Sequence, residues 1–249
     1  MIYTAIWAHR GASAYAPENT LPAFILAHRL GADGIELDVH ITKDRQVVVC
    51  HDDKIDRTSN GTGSIADMTL EELRTYDFGK PDEFGTKFAG TRISTLGEVY
   101  DALYHTGMNV NVELKYSATL EDTVPLVHEI TIGHGMKERV IYSSFAHEGL
   151  KTLMKLDPSA VAAPLYGEME QAAETALTYR ASALHPAYTE AVKEGYIAHA
   201  HELGLRMHPW TVNAPAVMQQ LLELKADALI TNFPDVAKAL RDAHLRKFI

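Results

Sequence analysis

The chain has 249 residues, 46% of them hydrophobic and 22% charged, with a formal net charge of −10. That fits one large α/β barrel or two small domains of an ordinary soluble protein, and gives ample chain for a core. The acidic balance without any basic block argues against a nucleic-acid partner or an anionic membrane surface; no apolar run reaches the length of a membrane span, and the lone Cys50 can form no internal disulfide.

Residues 1–7 are apolar but short, with no basic lead or cleavage site. They read as the approach to a first strand, not a signal peptide, and a cytoplasmic location is the default expectation. The strand is Ala5-Ile6-Trp7-Ala8, followed by His9 and Arg10. Thr20-Leu21-Pro22 opens a helix, with Thr20 as cap and proline tolerated in the first turn. Gly31 suits its C-terminal end.

The next strand is Gly34-Ile35-Glu36-Leu37-Asp38-Val39-His40. Side chains alternate along a strand, so Glu36, Asp38 and His40 share one face, and Ile35, Leu37 and Val39 the other. Two neighbouring carboxylates on a face that should be core call for a positive partner, and a divalent metal is the simplest. The polar turn Thr42-Lys43-Asp44-Arg45-Gln46 is short enough to force an antiparallel return through Val47-Val48-Val49. It carries His51 back beside the carboxylates. Residues 53–94 are weakly periodic and glycine-punctuated, with a capping box at Thr69-Leu70-Glu71-Glu72. They read as an insertion within a single domain spanning residues 1–249.

Regular alternation resumes at Thr95. Strands are expected over residues 109–114, 140–144, 161–166, 182–185, 206–212 and 228–231. Helices are expected over 120–133, 146–156, 168–179, 189–203, 214–224 and 235–244. Without the return strand this gives eight strands, each followed by a helix, the count of a (β/α)8 TIM barrel. The rival, a doubly wound open sheet, would want a glycine-rich phosphate turn after the first strand, and His9-Arg10-Gly11-Ala12 supplies none.

Catalytic groups of such barrels gather at the C-terminal ends of strands. Here those ends carry His9 and Arg10, Glu36 and Asp38, Glu113 and Lys115, Ser143 and Ser144, His185, Trp210 and Asn232. Glu36, Asp38 and Glu113 offer oxygen-only ligation, which selects a hard cation, Mg²⁺ or Ca²⁺, over zinc. Arg10 and Lys115 beside that cation suit an anionic phosphoryl group. His9 and His51 can take a proton from an attacking oxygen and return one to a leaving alkoxide. The combination describes metal-assisted hydrolysis of a phosphate diester.

His9-Arg10-Gly11, Pro17-Glu18-Asn19-Thr20, Glu36-Leu37-Asp38-Val39, His51-Asp52, Glu113-Leu114-Lys115 and Trp210-Thr211-Val212-Asn213 together resemble the glycerophosphodiester phosphodiesterase family. The likeness spans nearly the whole chain, in the family's order. It implies a barrel with an insertion after the His-Asp pair. It also implies cleavage of glycerophosphodiesters to sn-glycerol 3-phosphate and an alcohol such as choline or ethanolamine. By position, His9 and His51 match the acid/base pair, Glu36, Asp38 and Glu113 the metal ligands, and Arg10 and Lys115 the phosphate contacts. Trp210, which pattern alone leaves between core and cleft, falls on the aromatic lining the substrate cleft. The chain departs from the family at Thr231-Asn232, where Thr-Asp is common, and at Ile93-Ser94-Thr95-Leu96, where proline commonly holds the second place.

Two other readings remain at this level. One is a related barrel phosphodiesterase acting on lysophospholipid or phosphoinositide head groups; the other is a non-catalytic phosphodiester-binding sensor. Head-group preference, the choice between Mg²⁺ and Ca²⁺, and the roles of Asp52, His40, His185, His208 and Asn232 are left open, as is a homo-oligomer. Histidines on the expected helices, His128 among them, are expected at the surface.

Overall fold

Residues 3–117, 119–167 and 172–247 are described by the computed structural model. Its strands are β1 (Ala5–His9), β2 (Gly34–Ile41), β3 (Val47–Val49), β4 (Asn109–Leu114), β5 (Val140–Ser144), β6 (Ala162–Tyr166), β7 (Ala183–Pro186), β8 (Arg206–Met207) and β9 (Ala228–Thr231). All pair in parallel along the order β8-β7-β6-β5-β4-β2-β1-β9, except β3, which lies antiparallel on β2. Main-chain bonds close the remaining gap: Asp227 N–H donates to Met207 O at 2.9 Å, Ile230 N–H to Pro209 O at 3.0 Å and Val212 N–H to Ile230 O at 2.8 Å. The fold is the parallel eight-stranded barrel that the alternation of elements implied.

Helix starts follow their sequence signals. Thr95 and Thr69 each form a complete capping box, with Glu98 and Glu72 respectively. Thr20 caps the helix Leu21–Arg29. Apolar residues fill three places: the shell between barrel and helices, the barrel interior around Trp7, Ile141, Ala183 and Ile230, and a small cluster shared by residues 48–50 and 53–94. That last cluster joins Val48 and Cys50 of the return segment to Ile55, Ile65, Leu73, Phe78 and Ile93.

Four local details differ from the sequence reading. The strand expected over 206–212 stops after Met207, because Pro209 has no N–H to give a ladder. The helix expected over 189–203 is two pieces, Tyr188–Ala191 and Tyr196–Glu202, separated where Gly195 takes a φ of 75°. The helix expected over 168–179 is seen as Ala172–Thr178, with 168–171 outside the described residues. His128 is buried, its Nδ1 3.1 Å from the Tyr142 hydroxyl and its Nε2 3.3 Å from Asp157.

Candidate active site

The parallel register stacks the polar strand-end residues in layers. His9 lies beside Glu36, Glu36 beside Asn111, Asp38 beside Glu113, and Glu113 beside Ser143. Partners in a parallel ladder point to the same face, so these side chains all turn inward at one end of the barrel. Glu36 and Asp38 sit inside β2 and not at its end, because pairing with β3 extends β2 to Ile41. The result is a cleft of about 470 Å³ bordered by His9, Arg10, His51, Lys115 and Trp210.

The turn after β1 is shaped by backbone geometry. Arg10 has a φ of 56°, a left-handed conformation that costs about 1–3 kcal/mol in a non-glycine residue. It turns the Arg10 N–H onto Glu36 Oε2 at 3.0 Å. Gly11 follows with a φ of 82°, and a Cβ there would stand 2.7 Å from the Cβ of Ala23. Only glycine lets this turn lie against the start of the helix Leu21–Arg29.

One oxygen from each of Glu36, Asp38 and Glu113 lies within 4.8 Å of the other two. Glu36 and Asp38 are 4% and 1% exposed. Two unit charges at such a distance repel by about 4 kcal/mol at an effective dielectric of 20. The response differs among the three. Burial, then the charges of Asp38 and Glu113, push Glu36 well above the usual carboxylate range. Burial and Asp38 push Glu113 up to about 7. Burial also works against ionised Asp38, but Lys115 and Arg10, with the Asn19 amide, outweigh it and hold Asp38 down at about 2.

The cations stand close. Lys115 Nζ donates to Glu113 Oε1 at 2.8 Å and is 3.4 Å from Asp38 Oδ1; Arg10 Nε is 3.4 Å from Asp38 Oδ2. Asp38 Oδ1 is nevertheless buried without a hydrogen bond. Three carboxylates against two cations, with one oxygen left over, form a donor set that fits a hard divalent ion.

Each mouth histidine has one ring nitrogen engaged. His9 Nδ1 is 2.7 Å from Asn232 Oδ1, an acceptor, so the proton sits on Nδ1 and leaves the lone pair on Nε2, 4.0 Å from Glu36. Burial, reinforced by Arg10, lowers His9 to about 4 and keeps it neutral. His51 Nδ1 donates to Asp52 Oδ1 at 2.6 Å, which likewise leaves Nε2 for a ligand. Trp210 donates Nε1–H to the His185 carbonyl at 2.9 Å and meets Phe145 edge-on, their centroids 5.5 Å apart, to make an aromatic wall.

All eight residues singled out in the sequence, His9, Arg10, Glu36, Asp38, His51, Glu113, Lys115 and Trp210, thus stand at or directly beneath one mouth. Several neighbours had been given no role. Asn19 donates Nδ2–H to Asp38 Oδ2 at 2.8 Å, Glu18 accepts from Arg10 Nη1 at 3.0 Å, and Asn232 holds His9. The signal for the first two was the polar run Pro17-Glu18-Asn19-Thr20 just before a cap. His40 spends its Nε2 on the His51 carbonyl, at 3.1 Å. His185 and His208 lie deeper, in the barrel interior, Nε2 to Nδ1 at 2.9 Å.

Carboxylates that want a cation, beside a guanidinium and an ammonium that want an anion, equip a barrel hydrolase for phosphate esters. Known proteins narrow the class. Residues 9–236 match the glycerophosphoryl diester phosphodiesterase family. A glycerophosphodiester phosphodiesterase of Caldanaerobacter subterraneus is 39% identical over 238 residues, covering 93% of this chain and 95% of its own. One from Bacillus subtilis is 33% identical over 247 residues, with coverage of 92% and 83%. The structure of an Oleispira antarctica phosphodiesterase in complex with the product sn-glycerol-3-phosphate superposes with a TM-score of 0.89. It is 27% identical and covers 96% of this chain and 97% of its own. The chain belongs to the glycerophosphoryl diester phosphodiesterase family and is a phosphoric diester hydrolase. Among the described residues no helix is long and apolar enough to cross a membrane.

Proposed function

We propose that the chain hydrolyses glycerophosphodiesters to sn-glycerol 3-phosphate and an alcohol, with one divalent cation, Mg²⁺ or Ca²⁺, held by Glu36, Asp38 and Glu113. The observation that carries this reading is the buried trio itself: three carboxylates share two cations, Asp38 Oδ1 is left without a hydrogen bond, and Glu36 and Glu113 are pushed upward by burial and by their carboxylate neighbours. When bound, the cation polarises a phosphoryl oxygen and offsets the charge that builds there.

The chain's own side chains do the rest. Arg10 and Lys115 bind the remaining phosphoryl oxygens and stabilise them as the transition state forms. His9, neutral with its lone pair on Nε2, takes the proton of the attacking oxygen. His51, protonated on both ring nitrogens with its Nδ1–H held by Asp52, delivers the Nε2 proton to the departing alkoxide. The wall of Trp210 and Phe145 packs against substrate carbons and keeps bulk water away. We take residues 1–249 as one barrel domain with residues 53–94 inserted in it, the insertion standing on the His51 side of the mouth.

Incubation with glycerophosphocholine and glycerophosphoethanolamine, in Mg²⁺ and in Ca²⁺, tests this reading. Release of sn-glycerol 3-phosphate with the free alcohol is expected. Release of a phosphorylated alcohol, or no hydrolysis with either ion, would overturn it.

A further inference from the structure

The insertion carries a guanidinium that no step above uses. Arg57 follows Ile55, which is fully buried in the cluster beneath the insertion. Its loop is braced: Ile55 N–H donates to Gly63 O at 3.0 Å, Gly63 N–H to Asp56 Oδ2 at 3.0 Å, and Ser59 Oγ to Ile55 O at 2.8 Å. From this base the side chain reaches toward the barrel mouth and grips two carboxylates with both oxygens of each. Nε donates to Asp52 Oδ2 at 2.7 Å and Nη2 to Asp52 Oδ1 at 3.1 Å. Nη1 donates to Glu18 Oε2 at 2.7 Å and Nη2 to Glu18 Oε1 at 2.8 Å.

Each carboxylate hands the constraint on. Asp52 accepts from His51 Nδ1, and Glu18 accepts from Arg10 Nη1. One side chain therefore stands behind a group on the turn after β1 and another just past β3. Arg57 thus joins these two segments through side-chain hydrogen bonds. We propose that Arg57 is a positioning residue for turnover. Through Asp52 it fixes the ring of His51, and through Glu18 it fixes the guanidinium of Arg10, so that the insertion completes the geometry of the mouth. The inference rests on the roles given above to His51 and Arg10.

Donor geometry explains why the residue is an arginine. A planar fork with five N–H groups can serve two carboxylates at once, whereas an ammonium cannot match either pair. Without the fork, Asp52 keeps only His51 and can swing about its own χ2, and Glu18 keeps only Arg10. As a surface ion pair Arg57 contributes little to stability, since its side chain is 43% exposed. Loss of turnover without loss of fold is thus the signature of a positioning role.

The test compares Arg57→Ala with the wild-type enzyme on glycerophosphocholine, with His51→Ala alongside. Expected is a fall in kcat of about 10–100-fold, the usual effect of removing a group that orients a ligand or catalytic residue. KM should change less, and the melting temperature should stay close to wild type. Added guanidinium ion should restore part of kcat, and ammonium should not. Wild-type kcat in Arg57→Ala beside an inactive His51→Ala overturns this inference alone. A fully active His51→Ala overturns the assigned role of His51 instead. Should Arg57→Ala fail to fold, Arg57→Lys keeps the charge and stem: wild-type kcat there overturns the inference, and a 10–100-fold loss upholds it.

Discussion

The barrel holds two pairs of histidines, one to which we assign chemistry and one to which we assign packing. His9 and His51 sit at the mouth among carboxylates and cations, each with one nitrogen fixed and the other facing the cleft. His185 and His208 sit in the interior, 0% and 2% exposed. They bond each other, Trp7 lies 4.7 Å from His208 centroid to centroid, and Asn111 Nδ2 is 3.5 Å from His185. All four end or follow strands, His51 the return strand β3 and the others barrel strands, and they look alike in sequence. What divides them is the company of charge: a proton placed on a mouth histidine has a carboxylate within reach, whereas one placed on the enclosed interior pair meets the positive charge of Arg206.

The largest effect that would break this contrast is on turnover. His51→Ala should lower kcat by about 10²–10⁴-fold, the usual worth of a positioned acid or base. His185→Ala should lower kcat less than tenfold yet destabilise the fold by about 1–3 kcal/mol, because His208 is left buried without its partner. Initial rates and thermal melts on the two proteins check both halves. Equal losses of kcat would erase the distinction.

Acid offers a smaller, sharper contrast. Burial first, then Arg206, lowers His185 to about 3; burial first, then His185 and Arg206, lowers His208 well below 6.5. These folded values lie under the unfolded one, so the unfolded chain takes up protons first as the pH falls. Their stabilising effect is present above pH 6.5 and is lost on descending toward pH 3, with a slope of at most about 2.7 kcal/mol per pH unit for two groups. Glu113, at about 7 against 4.5, has the opposite sign: in metal-free protein its protonation favours the folded state as the pH falls through 7. Melting temperature against pH should therefore fall less steeply between 6.5 and 4.5 in His185→Leu/His208→Leu than in wild type. Identical slopes would count against neutral interior histidines.

Much of this was legible in the chain. Period-two alternation with capping boxes gave the order of strands and helices, and Glu36 and Asp38 announced themselves as charges on a face that should be apolar. What the sequence hid was contact between distant loops. Nothing in Asn232 alone says that it holds His9, or in Arg57 that it binds Glu18, 39 positions away. Nor did composition reveal the apolar cluster of residues 48–93, since four of its seven members, Cys50, Ile55, Phe78 and Ile93, lie outside any helix or strand and have no period to read. Burial of His128 was missed because a helical position does not say which face packs against Tyr142.

The most direct measurement is metal content and turnover of the chelated protein. With Glu36, Asp38 and Glu113 as ligands, one divalent ion per chain should bind, chelator should abolish sn-glycerol 3-phosphate release, and added Mg²⁺ or Ca²⁺ should restore it. Full turnover by protein carrying no divalent ion would contradict the central claim.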